Sequence, residues 1–445
     1  MSDDAATPAL HDLTAHATHV EEAPARRFST MAGALVGSEI LKIAADIRQM
    51  AAQGHKICNL TVGDFDPRQF AIPAVLQQAV LRALERHETN YPAANGMLEL
   101  RQALQRYYER DLGLRYPLDS FLVAGGARPV IYGTYRTLVD PGDTVIYPVP
   151  SWNNNHYVHM CGARGVQVVC GPESRFLPTG DALLSELPAA RLVCLNSPLN
   201  PTGTAIDADA LRGICEAILA ENRARERSGT RPVYLMYDHI YWMLCFGGTH
   251  HVTPPGLVPE MARYTIFVDG ISKAFAATGL RVGWAVGPVD VIRQMSAVLG
   301  HVGAWAPRPE QVATVDLLDD PEAIRTYHKT FLSGIASRLE LLHGGFQALK
   351  AEGLAVDSIP PMGAIYLTVR IFPFGQVTPE GQTLRTNEDV RRYVLHAAGV
   401  GIVPFQAFGV PGDEGWFRLS VGAASEAEIQ AALPRLAEAM RALHA

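Results

Sequence analysis

The stretch TIFVDGISKAFAATGLRVGW, from Thr265 to Trp284, places a lysine soon after a run of apolar residues. The β-branched and aromatic residues of the run predict a buried strand. Lys273 follows among small side chains, and burying an ammonium group costs on the order of several kcal/mol unless it is paired or loses its proton. A desolvated lysine has a lowered pKa, and its neutral amine condenses with aldehydes to give a Schiff base. The stretch therefore predicts a reactive lysine at a strand end.

Short apolar runs of this kind recur along the chain, mostly separated by helix-length segments, and they are FLVA, TVIY, VQVVC, RLVCL, VYLMY, TIFVD and GWAV. Seven such strands predict an α/β fold with a mainly parallel sheet, helices on both faces and ligands at the carboxyl ends of the strands. After about residue 320, long helices and the runs AIYLTVRI and WFRLSVG predict a smaller α+β domain. Its closing helix is expected to begin at the capping box Ser425-x-x-Glu428.

These patterns predict four segments along the chain. We expect a flexible N-terminal arm over 1–30, an N-terminal part of the small domain over 31–70, a large domain over 71–320, and a C-terminal small domain over 321–445. His11, His16 and His19 lie in the arm, where we interpret them as solvated side chains. No metal site is predicted.

Composition limits the classes of partner. The chain has 48% hydrophobic and 19% charged residues and a formal net charge of −7, which favours small soluble partners over nucleic acids or anionic membranes. Its six cysteines lack C-x-x-C or zinc spacing, which predicts free thiols in a reducing compartment. The amino terminus has no apolar segment typical of a signal peptide or membrane anchor, so we expect a cytoplasmic location.

Small and polar residues follow the predicted strands. Gly125-Gly126-Ala127-Arg128 comes after FLVA and leads into a helix, whose free N–H groups suit a phosphate, although a tight connection without a ligand has the same pattern. Trp152 follows TVIY, where its ring can stack on a planar ligand or pack in the core. Asn200, in NSPLNPTG, lies in a turn that can aim its amide inward.

Asp238 ends the run VYLMY and precedes Tyr241. A carboxylate there can cap a helix, pair with an arginine or hold a buried cation. If the aldehyde partner of Lys273 is pyridoxal phosphate, the strand-end residues acquire roles as an acid at the pyridine nitrogen, a stacking ring, donors to the phenolic oxygen and an anion cup. Arg281 would complete the cup with forked hydrogen bonds, and a surface salt bridge is its alternative role.

The chain resembles the class I aminotransferases of the fold type I pyridoxal-phosphate enzymes from about Leu35 to its end. The resemblance rests on eight motifs in the family order: YPAANG, GGARP, PSWNNNH, NSPLNPTG, YDHIYW, SKAFAATGLRVGW, PMGAIYL and FRLSVG. The run DGISKAFAATGLRVGW is most similar to a microbial subgroup of aspartate or aspartate/prephenate aminotransferases. The resemblance implies a ping-pong transfer of an amino group from an L-amino acid, with aspartate favoured, to a 2-oxo acid such as 2-oxoglutarate. It also implies a homodimer with shared active sites.

The resemblance further implies roles for single residues. Lys273 would bind the cofactor aldehyde and then move a proton at the substrate Cα, with Asp238 and Tyr241 as the other catalytic residues. The residues implied to hold the cofactor are Gly126, Ala127, Trp152, Asn200, Asp238, Tyr241, Lys273, Arg281 and, from the neighbouring subunit, Tyr91. Those expected at the substrate are Arg418 on its α-carboxylate, Gly63 through its backbone, Asn200, Trp152 and Arg128.

Two positions depart from the family pattern. Gly270 stands where many members have a serine for the phosphate, so one phosphate ligand is expected to be missing. Ala127 stands where the subgroup has a lysine that reads the distal carboxylate. Arg128 and His301 are candidates to replace that contact, although Arg128 can equally face solvent and His301 can be structural. A lyase or synthase of the same fold, or a non-catalytic sensor, is the alternative to an aminotransferase.

Overall fold

In a computed structural model of the chain, residues 13, 14, 17, 28–35, 37 and 39–444 are described. The predicted arm over 1–30, with its three histidines, falls almost wholly outside them. Backbone contacts divide the chain into two units, Met1–Gly37 and Ser38–Ala445. In the first unit a short helix begins after Ser29, whose side chain accepts a hydrogen bond from the N–H of Ala32. The predicted division into a large and a small domain stays a prediction.

The elements of the described part follow the predicted alternation. The α-helices are α1 Thr30–Gly33, α2 Glu39–Ala52, α3 Ala74–Glu85, α4 Leu98–Leu112, α5 Ala127–Leu138, α6 Asn154–Cys161, α7 Gly180–Leu184, α8 Ala208–Ser228, α9 Pro254–Leu257, α10 Ile271–Ala274, α11 Val289–Val302, α12 Arg308–Leu318, α13 Pro321–Ala351, α14 Asn387–Tyr393 and α15 Glu426–Arg441. The strands are β1 Cys58–Asn59, β2 Phe121–Ala124, β3 Thr144–Val149, β4 Arg164–Val169, β5 Ala190–Asn196, β6 Tyr234–Asp238, β7 Thr265–Gly270, β8 Gly283–Val286, β9 Val356–Ser358, β10 Tyr366–Ile371, β11 Val400–Gly401, β12 Val403–Pro404 and β13 Trp416–Ser420.

A seven-stranded sheet in the order β2-β8-β7-β6-β5-β3-β4 forms the centre of the described part. The pairs β3–β4, β3–β5, β5–β6 and β6–β7 are parallel, and β8 is antiparallel to both of its neighbours. The prediction of a seven-stranded, mainly parallel sheet is confirmed. In this register Asn196 pairs with Asp238, and Asp238 pairs with Val268. The parallel strands therefore end side by side, and the residues after them meet at one edge of the sheet.

A four-stranded antiparallel sheet, in the order β12-β13-β10-β9, contains Arg418, the residue predicted to bind the substrate α-carboxylate. Arg418 lies in the middle of β13, opposite Thr368 of β10 and Val403 of β12. The short strands β1 and β11 pair with each other in parallel, so that Cys58 lies opposite Val400. Long α13 and the closing α15 pack on the apolar side chains of this region. As predicted, α15 begins at a capping box in which Ser425 and Glu428 exchange hydrogen bonds.

Two compositional predictions can be compared with the structure. All six cysteines are free, and five of them are buried while Cys245 is partly buried. This agrees with the free thiols predicted from their spacing. Among the described residues, no helix is long and apolar enough to cross a membrane.

Candidate active site

Lys273 lies in α10, directly after β7, and its Nζ donates a hydrogen bond of 2.6 Å to the carbonyl oxygen of Gly63. Burial lowers the pKa of Lys273 to about 8. This value includes smaller effects of nearby charges: that of Asp64 raises the pKa, and those of three arginines lower it, namely Arg418, Arg128 and Arg281. A lysine in this environment is partly neutral near physiological pH, as a nucleophile or a proton acceptor must be.

The other lysines of the chain are in a different environment. The sequence contains five lysines, and the four besides Lys273 are all exposed: Lys42, Lys56, Lys329 and Lys350. Lys273 is therefore the lysine of this chain with the environment of a reactive amine.

Asp238 ends β6 on the same edge of the sheet. Its Oδ1 accepts a 3.1 Å hydrogen bond from the backbone N–H of Ile240, and no ion pair includes its carboxyl among the described residues. Burial raises the pKa of Asp238 to about 7. A carboxyl held in this way favours a protonated, cationic partner, because that partner would stabilise its ionised form.

Arg418 is 1% exposed, and its guanidinium lies between the rings of Tyr366 and Phe408, at 4.7 and 4.9 Å from their centroids. Its Nη1 donates to Asn200 Oδ1 at 3.1 Å and its Nη2 to the carbonyl oxygen of Thr61 at 2.6 Å. Its Nε has no hydrogen-bond partner, and none of the ion pairs in the described part includes Arg418. A buried guanidinium without a carboxylate partner suits an anionic ligand.

The turn before α5 and Arg281 form an anion-binding cup. Gly126 has a φ of 99° and precedes Ala127, the first residue of α5, whose free N–H groups are typical of phosphate sites. A Cβ at position 126 would overlap the guanidinium of Arg281, so glycine is required there. Arg281 donates to the carbonyl oxygens of Gly125 at 3.1 Å and Thr278 at 2.7 Å, and it forms no ion pair within the described residues.

Gly270, where the family pattern has serine, lies against the backbone of the neighbouring strand. A Cβ at this position would lie 2.7 Å from the carbonyl oxygen of Val282 and 2.9 Å from the Cα of Gly283. Both distances are too short for a real contact, so β8 packs too closely on β7 for a side chain at position 270. The missing serine is thus a consequence of how these two strands approach each other.

Tyr241 and Asn200 complete the group at the sheet edge. The Tyr241 hydroxyl lies 2.7 Å from that of Tyr366, and burial raises the pKa of Tyr241 well above its ordinary value. A Cβ at Gly63 would lie 2.9 Å from the Tyr366 hydroxyl, so this phenol also borders the Gly63 backbone. The sequence reasoning did not single out Tyr366. Its position in PMGAIYL, three residues after Gly363, was the available signal.

Arg128 and Trp152 contact each other at the rim. The Arg128 guanidinium lies 5.5 Å from the centroid of the Trp152 ring, and Arg128 is exposed while Trp152 is partly buried. The field of Arg128 reaches Lys273, whose pKa it lowers. Arg128 is therefore within electrostatic range of the Lys273 amine.

Two predicted residues are not brought to this group within the described chain. Tyr91 is 81% exposed, and its ring packs edge-on against Trp305 at 5.1 Å. His301 is exposed near the end of α11. Neither forms a hydrogen bond, ion pair or ring contact with Lys273 or Arg418 in the part of the chain that the structure describes.

The residues at the sheet edge fit pyridoxal phosphate in kind. The cup at Gly126 and Arg281 offers N–H donors and an unpaired guanidinium to a phosphate, and a side chain at position 126 would fill it. Asp238 offers a buried carboxyl with one hydrogen bond, which suits a protonated pyridine nitrogen. Lys273 offers an amine with a lowered pKa to an aldehyde.

Comparisons with known proteins agree with this chemistry. The family described as aminotransferase class I and II matches residues 55–436. An aspartate aminotransferase from Rhizobium meliloti (strain 1021) is 35% identical over 433 residues, which are 96% of this chain and 99% of that protein. A probable aspartate/prephenate aminotransferase from Rhizobium leguminosarum bv. phaseoli is 28% identical over 90% of this chain and 95% of its own length.

Solved structures with the same fold include two aspartate aminotransferases. The crystal structure of the Rhizobium meliloti enzyme superposes with a TM-score of 0.85 at 33% identity. The match covers 94% of this chain and 100% of the Rhizobium meliloti chain. The Thermus thermophilus enzyme, solved with maleate, has a TM-score of 0.82 at 28% identity and covers 93% of this chain and 100% of its own. The chain belongs to the class I and II aminotransferases, and it is a pyridoxal-phosphate-dependent aminotransferase with the fold type I architecture.

Proposed function

We propose that this aminotransferase takes acidic L-amino acids, with aspartate as donor and 2-oxoglutarate as acceptor. The observation that carries the acidic specificity is Arg128, exposed at the rim of the site and in contact with the Trp152 ring. Arg418, a buried guanidinium with no carboxylate partner among the described residues, supports an amino-acid substrate of any side chain. It is suited to the α-carboxylate of every substrate, which both half-reactions share. The names of the relatives support aspartate, and the maleate bound to the Thermus thermophilus enzyme is itself a dicarboxylate.

The cofactor, when bound, supplies an aldehyde that condenses with amines and a pyridine ring that accepts the electron pair released at the substrate Cα. In the proposed site, Gly126, Ala127 and Arg281 bind its phosphate through N–H donors. Asp238 would offer a negative charge to the pyridine nitrogen and so would keep a proton on that atom. Trp152 orients the ring by stacking.

Lys273 has two roles in the proposed mechanism. Its neutral Nζ would bind the cofactor aldehyde, and as a free amine in the presence of substrate it would move a proton between the substrate Cα and the cofactor. The hydrogen bond from Nζ to the carbonyl oxygen of Gly63 supports this role, because it keeps the amine on the side where Arg418 would hold the substrate. Tyr241 and Asn200 bind the phenolic oxygen, and Tyr366 fixes the Tyr241 hydroxyl.

The distal carboxylate of aspartate or glutamate is assigned to Arg128. Ala127 has no side chain that could bind it, whereas Arg128 is next in sequence, exposed, and held against Trp152 by a cation–π contact. The Trp152 ring would then contact the cofactor with one part of its surface and orient Arg128 with another. His301 remains a second candidate for this contact.

We also propose a cytoplasmic homodimer in which Tyr91 binds the phosphate in the neighbouring subunit. The exposure of the Tyr91 ring, at 81%, supports a role in an interface. An aromatic residue with that much free surface has area to bury against a second chain.

The experiment that tests the function is a half-reaction screen. The purified holoenzyme is mixed with each L-amino acid, and the loss of the visible cofactor band is followed. Aspartate and glutamate are expected to react fastest, with alanine and phenylalanine as controls for the side chain. Arg128→Gln is expected to slow aspartate and glutamate while leaving alanine unchanged, and His301→Gln is the matched variant. Preference for aromatic or aliphatic donors would contradict acidic specificity, and elimination products without amino transfer would favour a lyase.

A further inference from the structure

Asp269, the carboxylate directly before Gly270, is 1% exposed and has no role in the mechanism above. Its Oδ1 accepts a 2.7 Å hydrogen bond from the backbone N–H of Gly270, and its Oδ2 accepts a 3.0 Å hydrogen bond from the indole Nε1 of Trp242. One carboxylate thus connects two different segments of the chain.

Both of these segments carry groups of the proposed active site. Gly270 caps α10, the short helix of Lys273. Trp242 lies in the turn after β6, which begins at Asp238 and also contains Tyr241. The two hydrogen bonds to Asp269 therefore add to the pairing of β6 with β7 in fixing the lysine helix relative to the Asp238 turn.

The site around Asp269 is closed to water. The indole N–H of Trp242 and the backbone N–H of Gly270 therefore could not bond to water in place of the carboxylate. His239 is fully buried, with its Nε2 at 3.7 Å from Asp269 Oδ2 and 3.0 Å from the Tyr108 hydroxyl. The Tyr108 hydroxyl in turn accepts from Trp284 Nε1 at 3.2 Å. The other ring nitrogen of His239, Nδ1, lies 3.3 Å from His251 Nε2. Asp269 therefore lies next to a buried network of polar side chains.

An amide cannot replace this carboxylate without a conflict. Each oxygen of Asp269 accepts from one N–H, whereas an asparagine has a single oxygen and an NH₂ group. One of the two donors would then face another donor in a buried site. An unsatisfied buried donor is strongly unfavourable, and the strain would be relieved by a shift of α10 or of the Trp242 turn.

We propose that Asp269 is a positioning residue for amino transfer, holding the Lys273 helix and the Asp238 turn in register. This inference rests on the proposed roles of Lys273 and Asp238. Asp269 is a buried acid that is expected to touch neither substrate nor cofactor. Its proposed function is to fix the distance between the Lys273 amine and the Asp238 carboxyl.

The test uses the full-length holoenzyme and its apoprotein with four variants: Asp269→Asn, Trp242→Phe, the double variant, and Tyr107→Phe. Tyr107 is a control because its hydroxyl lies in the same aromatic cluster but bonds the sulfur of Met243, at 2.9 Å, instead of Asp269. Three quantities are measured for each protein: the dissociation constant of pyridoxal phosphate from the apoprotein, kcat and KM of the aspartate half-reaction, and the Tm of the apoprotein.

Asp269→Asn is expected to lower kcat by on the order of ten- to a hundredfold, with KM for aspartate nearly unchanged, because Lys273 is displaced while Arg418 is not. Cofactor affinity is expected to fall in parallel. Trp242→Phe alone should lower kcat by about two- to tenfold, because only one of the two hydrogen bonds to Asp269 is lost. In the Trp242→Phe background Asp269→Asn should have a smaller effect, because the unpaired indole donor is gone.

Values of kcat and cofactor affinity within about twofold of wild type in Asp269→Asn would overturn the inference, even if Tm fell. Equal effects of Asp269→Asn in both backgrounds would also overturn it. If Asp269→Asn does not fold, Trp242→Phe decides, and an unchanged kcat refutes the proposal. Failure of the wild-type protein to bind the cofactor would instead refute the proposed function.

Discussion

Asp238→Asn is expected to stabilise the apoprotein at neutral pH and to remove the catalytic activity of the holoenzyme. The pKa of Asp238 is raised by burial from its ordinary value of 3.8 to about 7. Between these values the folded apoprotein binds a proton that the unfolded chain has lost, so the contribution of this group to stability falls as the pH rises towards 7. An asparagine has no such dependence.

The magnitude follows from the two pKa values. Between about pH 5 and the pKa of about 7, only the folded state holds the proton on Asp238. Over these roughly two pH units the free energy of unfolding of the wild-type protein falls by about 1.36 kcal/mol per unit. The free energy of unfolding of Asp238→Asn, minus that of wild type, should therefore increase by about 2.5 kcal/mol over this interval.

The assay is urea unfolding of apoprotein at several pH values between 5 and 8 for wild type, Asp238→Asn and Glu340→Gln. Glu340 is an exposed carboxylate in the middle of α13, and Glu340→Gln serves as the matched control. A difference for Asp238→Asn that changes by less than about 0.5 kcal/mol would refute the reasoning, because it would mean that the buried carboxyl titrates near its ordinary pKa.

Three further predictions concern other parts of the site. Arg418→Lys should lower kcat/KM for aspartate by about ten- to a hundredfold, since a point charge replaces a forked donor, and unchanged steady-state kinetics would contradict this. Gly270→Ser should lower the free energy of unfolding by about 1–3 kcal/mol without improving cofactor affinity, because its Cβ would lie 2.7 Å from the Val282 carbonyl oxygen; tighter cofactor binding with unchanged stability would contradict it. The rate of cofactor capture by the apoprotein should rise with pH as Lys273 loses its proton, with a midpoint at about pH 8 and a plateau above about pH 9. A stopped-flow profile that still rises steeply beyond about pH 9.5 would contradict that pKa.

Local sequence patterns were sufficient to predict the sheet, and they placed Asp238 and Lys273 at the ends of two of its strands. Asp238 and Lys273 follow apolar runs whose pairing is parallel, and parallel strands end together, so their proximity could be inferred from order alone. The turn at Gly126 could also be predicted, because its small residues and the start of the following helix are adjacent in sequence.

Contacts between distant segments could not be read in this way. The rings on both sides of Arg418 come from Tyr366 and Phe408, which no period or motif connects to it. Gly270 was interpreted as a missing phosphate ligand, whereas the close approach of β8 explains why no side chain fits there. Asp269 was passed over because its two donors are a backbone N–H and an indole more than twenty residues away.

The central claim is that Lys273 is the amine that binds the cofactor aldehyde. The most direct measurement is borohydride reduction of the holoenzyme, followed by digestion and mass spectrometry of the lysine-containing peptides. With five lysines in the sequence, each can be assigned to its own site. The account predicts that the mass of the reduced cofactor is found on Lys273, and that Lys273→Ala carries none. Reduced cofactor on Lys42, Lys56, Lys329 or Lys350 of the wild-type protein, or on the Lys273→Ala variant, would contradict it.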